Sequence, residues 1–287
     1  MDIQWYPGHM KKTRDLISQN YKLVDLIIEL LDARAPSSSL NPIFDDLLGN
    51  KKRIYILNKA DLADEEVNRL WLNYYSEEKK DIILMNSRDG STKELLNLID
   101  KVTAPMQEEM KKKGRKPRPV RMMILGVPNV GKSSLINRLA GRASAKTGDR
   151  PGVTRGKQWV RLGNNLELFD TPGILWPKFE ESTEGLHLAL VGSIRDEILD
   201  RQTLAYNLVG IVRKLYPGAL GKRYGIEEVG EDIEVMDRIG QARGALLPGK
   251  MIDYDRISRI LIDEFRSGML GRISLERPDN KGVEAAL

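Results

Sequence analysis

The sequence predicts an α/β domain with a mostly parallel sheet and helices on both faces, followed by a small all-α domain. Between residue 23 and about residue 178, short apolar runs typical of buried strands alternate with segments of helical spacing. From about residue 183 onward, apolar residues recur only at helical spacing, as in Leu204, Leu208, Ile211 and Leu215. We therefore expect one domain at 1–180 and a second at 181–287.

Each element of the first domain follows from its own pattern. A helix is expected near residues 10–21 and a strand at 23–31. Further strands are expected at four apolar runs, 54–57, 82–85, 120–125 and 166–169. Helical spacing resumes after the run at 120–125, at Leu135, Ile136, Leu139 and Ala140.

A phosphate-binding loop stands between the strand at 120–125 and the helix that follows it. Its sequence, Gly126-Val127-Pro128-Asn129-Val130-Gly131-Lys132-Ser133, fits the pattern G-x-x-x-x-G-K-[ST] in full. Such a loop surrounds phosphates with backbone N–H groups at a helix N-terminus, where the dipole favours anions. We expect Lys132 to reach the outer phosphates and Ser133 to ligate Mg²⁺. The predicted nucleotide-binding residues here are Asn129, Val130, Gly131, Lys132, Ser133 and Ser134.

A second phosphate-side motif, Asp170-Thr171-Pro172-Gly173, follows the strand at 166–169. Asp170 is predicted to hold Mg²⁺ through water, and the amide of Gly173 suits the terminal phosphate. Thr154 lies between the two motifs, where a mobile loop carries the second hydroxyl ligand of Mg²⁺ in switch proteins. The alternative for Thr154 is an ordinary loop residue.

Base selection is predicted from Asn58-Lys59-Ala60-Asp61, which ends the strand at 54–57. The Asp61 carboxylate can accept from both N–H donors on the edge of guanine, whereas adenine presents an acceptor there. We expect Asn58 to contact the base and Lys59 to pack along it. Asn86 and Ser87 follow the next strand and are predicted to form the last guanine-contacting loop, although the sequence departs from the usual Ser-Ala-Lys.

The base-reading tetrapeptide precedes the phosphate loop, which inverts the order usual in GTP-binding switch proteins. The ligand sits where the carboxyl ends of parallel strands meet, and that geometry does not depend on where the chain is cut. The sequence therefore predicts a circularly permuted P-loop GTPase domain that binds GTP and GDP. The loop after Gly173 then leads into the C-terminal third, so nucleotide state is connected to whatever that third contacts.

Charge is unevenly distributed along the 287 residues. The net charge is +5, but residues 101–161 carry 16 Lys/Arg against three acidic residues, which leaves −8 for the remainder. This stretch contains the basic segment 111–119, expected to be the linker between the exchanged halves. Basic clusters bind phosphate backbones without reading sequence, which favours a structured RNA over a DNA site. The alternative is a solvated linker.

Composition limits the cellular setting. Cysteine is absent, so no disulfide is possible, and no apolar run approaches 18 residues. The first fifteen residues are polar and charged, unlike a secretory signal. We expect a cytoplasmic protein without a membrane partner.

Hydrolysis needs a group that positions water. Many switch GTPases place glutamine directly after Asp-x-x-Gly, but Ile174 stands there, and an aliphatic side chain cannot orient water. The chain has two histidines. His9 follows Pro7-Gly8 at a helix start and could face the nucleotide, or could simply be a helix-start histidine. His187 lies among apolar residues and is interpreted as a packed or partly exposed helical histidine.

Several motifs in one order resemble the YlqF/RbgA family of circularly permuted ribosome biogenesis GTPases. They are Trp5-Tyr6-Pro7-Gly8-His9-Met10, Asp32-Ala33-Arg34-Ala35-Pro36, Asn58-Lys59-Ala60-Asp61, the phosphate loop, Asp149-Arg150-Pro151-Gly152-Val153-Thr154 and the segment from Asp170 to Phe179. The match spans nearly the whole chain.

The resemblance implies a bacterial GTPase that binds an immature large ribosomal subunit, assists its late assembly and hydrolyses GTP as it leaves. The implied partners are the precursor with its rRNA and nearby ribosomal proteins, bound by a protein that is monomeric when free. A hydrophobic residue replaces the glutamine in this family, as Ile174 does here, and the histidine matched by His9 is implicated in catalysis. Asn129 resembles asparagines that hold K⁺; its alternative is a loop-bracing amide.

Two other functional classes stay open. A nucleotide-dependent RNA-binding scaffold with incidental hydrolysis would keep its assembly activity after hydrolysis is lost. A signalling or tRNA-modification GTPase is disfavoured by the basic stretch and by the absence of a membrane device, of cysteine and of an added catalytic module. The helical third, which the resemblance likens to small RNA-binding domains, carries no net basic charge, so any RNA contact there must use one face.

Overall fold

The structure is a computed structural model that describes residues 8–116, 118–141, 158–162, 166–170 and 182–278. At 8–13, 158–160, 170 and 182 it describes the backbone alone. The predicted site residues Thr154 and Gly173, together with Ile174, lie outside the described residues. The predicted domain boundary at 180 also falls outside them and stays a prediction.

A six-stranded sheet forms the centre of the first part of the chain. Its strands are β1 (Leu26–Asp32), β2 (Lys52–Asn58), β3 (Asp81–Met85), β4 (Val120–Gly126), β5 (Gln158–Leu162) and β6 (Leu166–Asp170). Their order across the sheet is β3-β2-β1-β4-β6-β5, and every neighbouring pair is parallel except β5 with β6. The predicted mostly parallel sheet is confirmed, and all seven residues of β1 are buried, as expected for a strand covered on both faces.

The helices of this part are α1 (Gly8–Asn20), α2 (Pro36–Ser39), α3 (Ile43–Leu48), α4 (Glu65–Glu77), α5 (Lys93–Lys112) and α6 (Lys132–Ala140). Two predicted boundaries move by a few residues. The first strand begins at Leu26 because Tyr21–Leu23 form a 3₁₀ turn. The predicted linker loses its first two residues to α5, which ends at Lys112 and is followed by Gly114 with a φ of +69°.

The second part is helical, as predicted. Its helices are α7 (Ser182–Leu190), α8 (Arg201–Leu215), α9 (Ala219–Tyr224), α10 (Asp232–Ala242) and α11 (Tyr254–Ser267), with a 3₁₀ turn at Asp196–Ile198. Buried side chains of this part, such as Leu208 and Phe265, belong to the same continuous cluster as the sheet residues Ile28 and Ile124. The two parts therefore share one core. Among the described helices, none is both long and apolar enough to cross a membrane.

Candidate nucleotide-binding site

Four parallel strands end at the same edge of the sheet and place the predicted motifs together. In the register of the sheet, Asp32 lies opposite Asn58, and Asn58 lies opposite Met85. On the other side of β1, Leu30 lies opposite Gly126, where the phosphate loop begins. Three loops are thus adjacent: the base-reading loop that begins at Asn58, the last base loop with Asn86 and Ser87, and the phosphate loop. They are neighbours although their order along the chain is permuted.

The phosphate loop requires glycine at both ends. Gly126 has a φ of +148° and Gly131 a φ of +109°, which is backbone that residues with a Cβ rarely adopt. A Cβ on Gly131 would lie 2.2 Å from Nδ2 of Asn58, and one on Gly126 would lie 2.6 Å from the carbonyl oxygen of Leu30. The loop is therefore packed directly against the base-reading strand.

Lys132 begins helix α6 and is almost fully buried. Its Nζ donates to the carbonyl oxygens of Gly126, at 3.1 Å, and Val127, at 2.8 Å. These bonds satisfy a buried ammonium inside the loop that is predicted to hold phosphates. The Lys132 ammonium is thus held at the predicted phosphate loop.

Asn58 connects the three nucleotide loops. Its Nδ2 donates to the carbonyl oxygen of Val130 at 2.6 Å. Its Oδ1 accepts from the backbone N–H of Ser87 at 2.9 Å and from the Ser87 hydroxyl at 2.8 Å. Asn58 is 2 % exposed, so the bonds described for this side chain brace the loops, while its predicted contact with the base stays a prediction.

Helix α6 also fixes the last base loop. The Arg138 guanidinium donates from Nη2 to the carbonyl oxygen of Asp89 at 2.9 Å and from Nε to that of Gly90 at 3.1 Å. Asn86 shapes the same loop from within, since its Oδ1 accepts from the N–H of Arg88 at 2.9 Å. An open cavity of about 320 Å³ lies between this loop and α6, lined by Ser87, Arg88, Ser134, Asn137 and Arg138. Two of these residues, Ser87 and Ser134, are predicted nucleotide contacts.

A buried charge network lies beneath the base-reading loop. Asp32 accepts from Nε and Nη2 of Arg34 at 2.9 and 2.8 Å, and from Nζ of Lys59 at 2.8 Å. Burial alone would raise the pKa of Asp32, but the charges of Arg34 and Lys59 outweigh it and hold that pKa well below its usual range. Lys59, which has a φ of +59°, is therefore anchored to Asp32 at its ammonium end.

The chain returns to this network in a segment that we call the C-terminal strap, residues 268–276. Arg272 donates from Nε to the carbonyl oxygen of Ala63 at 2.9 Å and from Nη2 to that of Ala60 at 3.0 Å. The backbone N–H of Ile273 donates to Leu62, and that of Leu275 donates to Arg34 at 2.7 Å. The strap thus holds the loop that follows the base-reading strand.

Glu276 joins the strap to helices α2 and α7 by hydrogen bonds. Its carboxylate accepts from the backbone N–H groups of Ser37 and Ser38, at 2.7 and 3.1 Å. Oε1 lies 2.9 Å from Nδ1 of His187. The interpretation of His187 as a packed helical histidine is confirmed by its burial, and this polar partner is an addition to it.

The phosphate loop has its own link to the helical part. Asn129, at a φ of +57°, donates from Nδ2 to the carbonyl oxygen of Gly192 at 2.9 Å, just after α7. This is the loop-bracing role that stood as the alternative to K⁺ binding. A K⁺ role for Asn129 stays a prediction.

The structure brings most of the predicted site residues to one edge of the sheet. They are Asn58, Lys59, Asp61, Asn86, Ser87, Asn129, Val130, Gly131, Lys132, Ser133 and Ser134. The backbone of Asp170 ends β6, which pairs with β4, and the backbone of His9 lies in α1. Their side chains lie outside what the structure describes, so the predicted roles of Asp170 and His9 stay predictions.

Sequence reasoning missed several residues that support the site. Asp32 and Arg34 entered only as part of a family motif, although a charged pair directly after a wholly apolar strand is a signal in itself. Arg272, Glu276 and Gly192 gave no signal, since their partners lie more than 60 residues away along the chain. Only the folded structure reveals those contacts.

The phosphate loop, the inverted motif order and the parallel sheet together define a circularly permuted P-loop GTPase. The family model described as "50S ribosome-binding GTPase" matches residues 121–213. Ribosome biogenesis GTPase A of Bacillus cereus is 46% identical over 286 residues, which cover 99% of this chain and 97% of that protein. Mitochondrial ribosome-associated GTPase 1 of Xenopus tropicalis is 34% identical and covers 95% of this chain and 94% of its own length.

A solved structure agrees with these sequence relatives. GNP-bound YlqF from T. maritima has a TM-score of 0.67 and 28% identity, covering 93% of this chain and 99% of that one. A GDP-bound YlqF structure gives a TM-score of 0.69 and 29% identity over 92% and 100% of the two chains. The chain belongs to the ribosome biogenesis GTPase A family. It is a guanine-nucleotide-binding enzyme that hydrolyses GTP.

Gly131→Ala is expected to weaken GDP binding by at least about tenfold, because the new Cβ displaces the Asn58 amide that joins the three loops. Gly141→Ala is the matched control, since Gly141 also has positive φ, +62°, but nothing within 4 Å of an added Cβ. Titration of a fluorescent GDP analogue measures both variants. Equal losses would show that backbone strain alone, and not the clash with Asn58, determines affinity.

Proposed function

We propose that this GTPase assists late maturation of the bacterial large ribosomal subunit and hydrolyses GTP as it leaves, with rRNA stimulating the hydrolysis. The names of the relatives support the ribosomal setting. The observation that carries the coupling is the contact of the helical part with both nucleotide loops, through Gly192 with the phosphate loop and through the C-terminal strap with the base-reading loop. A partner that displaces the helical part would thereby act on the site.

The proposed role of each site residue follows from its chemistry. Lys132 would neutralise the outer phosphates, and the Gly173 amide would donate to the terminal one. A serine hydroxyl and a carboxylate are oxygen ligands of the kind that Mg²⁺ binds. Ser133 lies in α6, after the loop that follows β4, and the backbone of Asp170 ends β6, the strand paired with β4. Thr154 would supply the second hydroxyl. Bound Mg²⁺ would neutralise phosphate charge.

Water positioning is assigned to His9. Ile174 has no polar atom to orient water, so the group must come from another segment. Binding to the precursor would bring His9 to the nucleotide and order the loops that carry Thr154 and Gly173. K⁺ is proposed as a second cation, held by Asn129.

The setting proposed with this activity is the cytoplasm, with the protein monomeric when free. Its partners are the precursor of the large subunit, its rRNA and nearby ribosomal proteins, and neither DNA nor a membrane. The competing function is a nucleotide-dependent RNA-binding scaffold whose hydrolysis is incidental. Loss of hydrolysis would leave assembly intact in that case, whereas the proposed enzyme would trap immature particles.

The test is GTP turnover measured with and without purified large ribosomal subunits, in K⁺ and then in Na⁺ buffer. We expect subunits to stimulate turnover, and Na⁺ to reduce the stimulated rate. His9→Ala should lower stimulated turnover while sparing GTP affinity, and Lys11→Ala in the same helix is the matched control. Unchanged turnover in His9→Ala would remove its catalytic role. Absence of stimulation in either salt would contradict the ribosome as activator.

A further inference from the structure

The edge of the sheet opposite the nucleotide loops carries a concentration of positive charge. Parallel strands place all their amino-terminal ends together, so the chain segments that enter β1, β2, β3 and β4 are neighbours. Their described residues are 20–25, 49–53, 77–81, 108–116 and 118–121. We call them together the basic edge.

The basic edge holds thirteen Lys/Arg against six Asp/Glu, a net charge of +7 in a chain whose total is +5. Four separate stretches of sequence contribute to it, including Lys22, Lys52 and Lys79, which lie far from the linker in the chain. The positive charge of the linker is therefore extended across the sheet by the fold. A solvated linker alone does not explain the lysines in the other three segments.

Much of the acidic charge at this edge is already neutralised. The Asp25 carboxylate binds both terminal nitrogens of Arg118 at 2.7 Å, and the Arg118 charge helps to lower the pKa of Asp25 against the opposing effect of burial. Glu78 pairs with Lys80 at 2.7 Å, and Glu109 pairs with Lys113. These pairs contribute little stability at an exposed surface, but they cancel negative charge that would repel a polyanion.

Seven cations of the basic edge form no salt bridge with a described residue and are exposed. They are Lys22, Lys52, Lys79, Lys111, Lys112, Arg115 and Lys116. Keeping so many like charges at one edge destabilises a compact fold through self-repulsion unless an anionic partner binds there.

We propose that the basic edge is a docking surface for the phosphate backbone of structured RNA, separate from the helical part and from the nucleotide site. This rests on the proposed function, because a ribosomal precursor supplies such an RNA. Six of the seven unpaired cations are lysines, whose point charges bind phosphates without the directional match that arginine makes with carboxylates. Their spread over four segments of one edge suits a continuous phosphate backbone, which such charges bind without reading sequence.

The chemistry of the edge also disfavours a membrane. Stable surface binding to lipid needs an apolar face beside the basic residues. Among the exposed large apolar side chains in the described residues, Leu23 is the one that lies in these segments. One such side chain is too little apolar surface for insertion.

Position gives the surface a distinct use. The basic edge and the nucleotide loops lie at opposite ends of the same strands, so RNA can bind the first without covering the second. A strand of seven residues is about 23 Å long, beyond the roughly 8–10 Å over which charges act in physiological salt. RNA bound here would therefore hold the enzyme without changing phosphate electrostatics directly.

The test compares two triple variants of the full chain. Lys22→Gln/Lys52→Gln/Lys79→Gln removes one unpaired lysine from each of the three segments outside the linker. Arg69→Gln/Lys93→Gln/Lys101→Gln removes the same charge from exposed positions elsewhere in this part. Binding to purified large-subunit rRNA is measured across a salt series, and GDP affinity is measured alongside.

We expect the first triple variant to weaken rRNA binding by about tenfold or more near 0.1 M salt and to reduce the salt slope by roughly 2–3, since each phosphate contact contributes about 0.7–0.9. The control should keep the wild-type slope, and both should bind GDP normally. Equal salt slopes for the two triple variants would show that the basic edge is not an RNA-docking surface.

Binding to anionic phosphatidylserine vesicles is measured as well. If the first triple variant binds these vesicles more weakly than the wild type but binds rRNA normally, RNA is not the partner of the basic edge. If rRNA binding depends on the basic edge while subunits fail to stimulate turnover, the surface stands and the proposed function falls.

Discussion

Asp32→Asn is expected to lower the free energy of unfolding by about 3–5 kcal/mol, because it leaves the buried Arg34 and the partly exposed Lys59 beside a neutral amide. Arg34 is 1 % exposed and cannot reach water, and Lys59 loses the carboxylate that anchors its ammonium. Since Lys59 belongs to the base-reading loop, GDP affinity should fall as well. Urea unfolding of the nucleotide-free protein measures the first effect, and GDP titration measures the second.

The matched control is Asp46→Asn, an exposed carboxylate on α3. Its unfolding free energy should change by less than about 0.5 kcal/mol, as is usual for surface substitutions. If Asp32→Asn is as stable as this control, the buried charge network does not contribute to the free energy of unfolding as its geometry indicates. If stability falls but GDP affinity is kept, the network supports the fold without shaping the base-reading loop.

Glu29→Gln is expected to stabilise the protein at alkaline pH and to have little effect near pH 5. Glu29 is fully buried in β1, with its Oε2 3.8 Å from Arg53 and the backbone N–H of Asn41 nearby. Burial raises the pKa of Glu29 from its ordinary value of 4.5 to about 8, although the Arg53 charge opposes this. The carboxyl group is therefore neutral in the folded protein at neutral pH.

The direction of the pH effect follows from proton linkage. Between about pH 4.5 and about 8, the folded protein keeps a proton on Glu29 that the unfolded chain has released. Stability contributed by the protonated group is thus complete below about 4.5 and is lost as pH rises through about 8. The glutamine variant, neutral throughout, should be more stable by up to about 4 kcal/mol near pH 9.

Unfolding curves across this pH range compare the wild type with Glu29→Gln, and Glu77→Gln, an exposed residue at the end of α4, serves as the control. Glu77→Gln should follow the wild-type pH dependence closely. Parallel curves for wild type and Glu29→Gln would mean that the carboxylate is ionised inside the fold.

The parts of the site that the sequence predicted are those whose residues lie close together along the chain in a motif of fixed spacing. A phosphate loop needs glycines, a lysine and a hydroxyl at fixed spacing, and Asn58-Lys59-Ala60-Asp61 ends a recognisable strand, so both could be located before the fold was known. The parallel sheet followed from the same periodicity. Even the inverted order of the motifs was visible in the chain.

The supporting contacts could not be predicted because they join residues that no local pattern relates. Arg272 is one exposed arginine among many in the sequence, and only the return of the strap gives it the carbonyl oxygens of Ala60 and Ala63. Glu276 likewise becomes the acceptor for Ser37 and Ser38 only in the folded chain, because they lie 239 and 238 positions before it. The charge distribution along the sequence revealed the basic linker. The strand order was needed to show that this positive charge extends across the edge of the sheet.

The C-terminal strap has a consequence for how the enzyme is made. The loop after the base-reading strand appears early in synthesis, but its partners Arg272 and Ile273 are translated more than 200 residues later. Until those residues leave the translating ribosome, the carbonyl oxygens of Leu62 and Ala63 lack their strap donors, and that of Ala60 keeps the Asn68 amide but lacks Arg272. A nascent chain would therefore complete its guanine pocket only after the strap has been synthesised, which delays tight nucleotide binding until the helical part is in place.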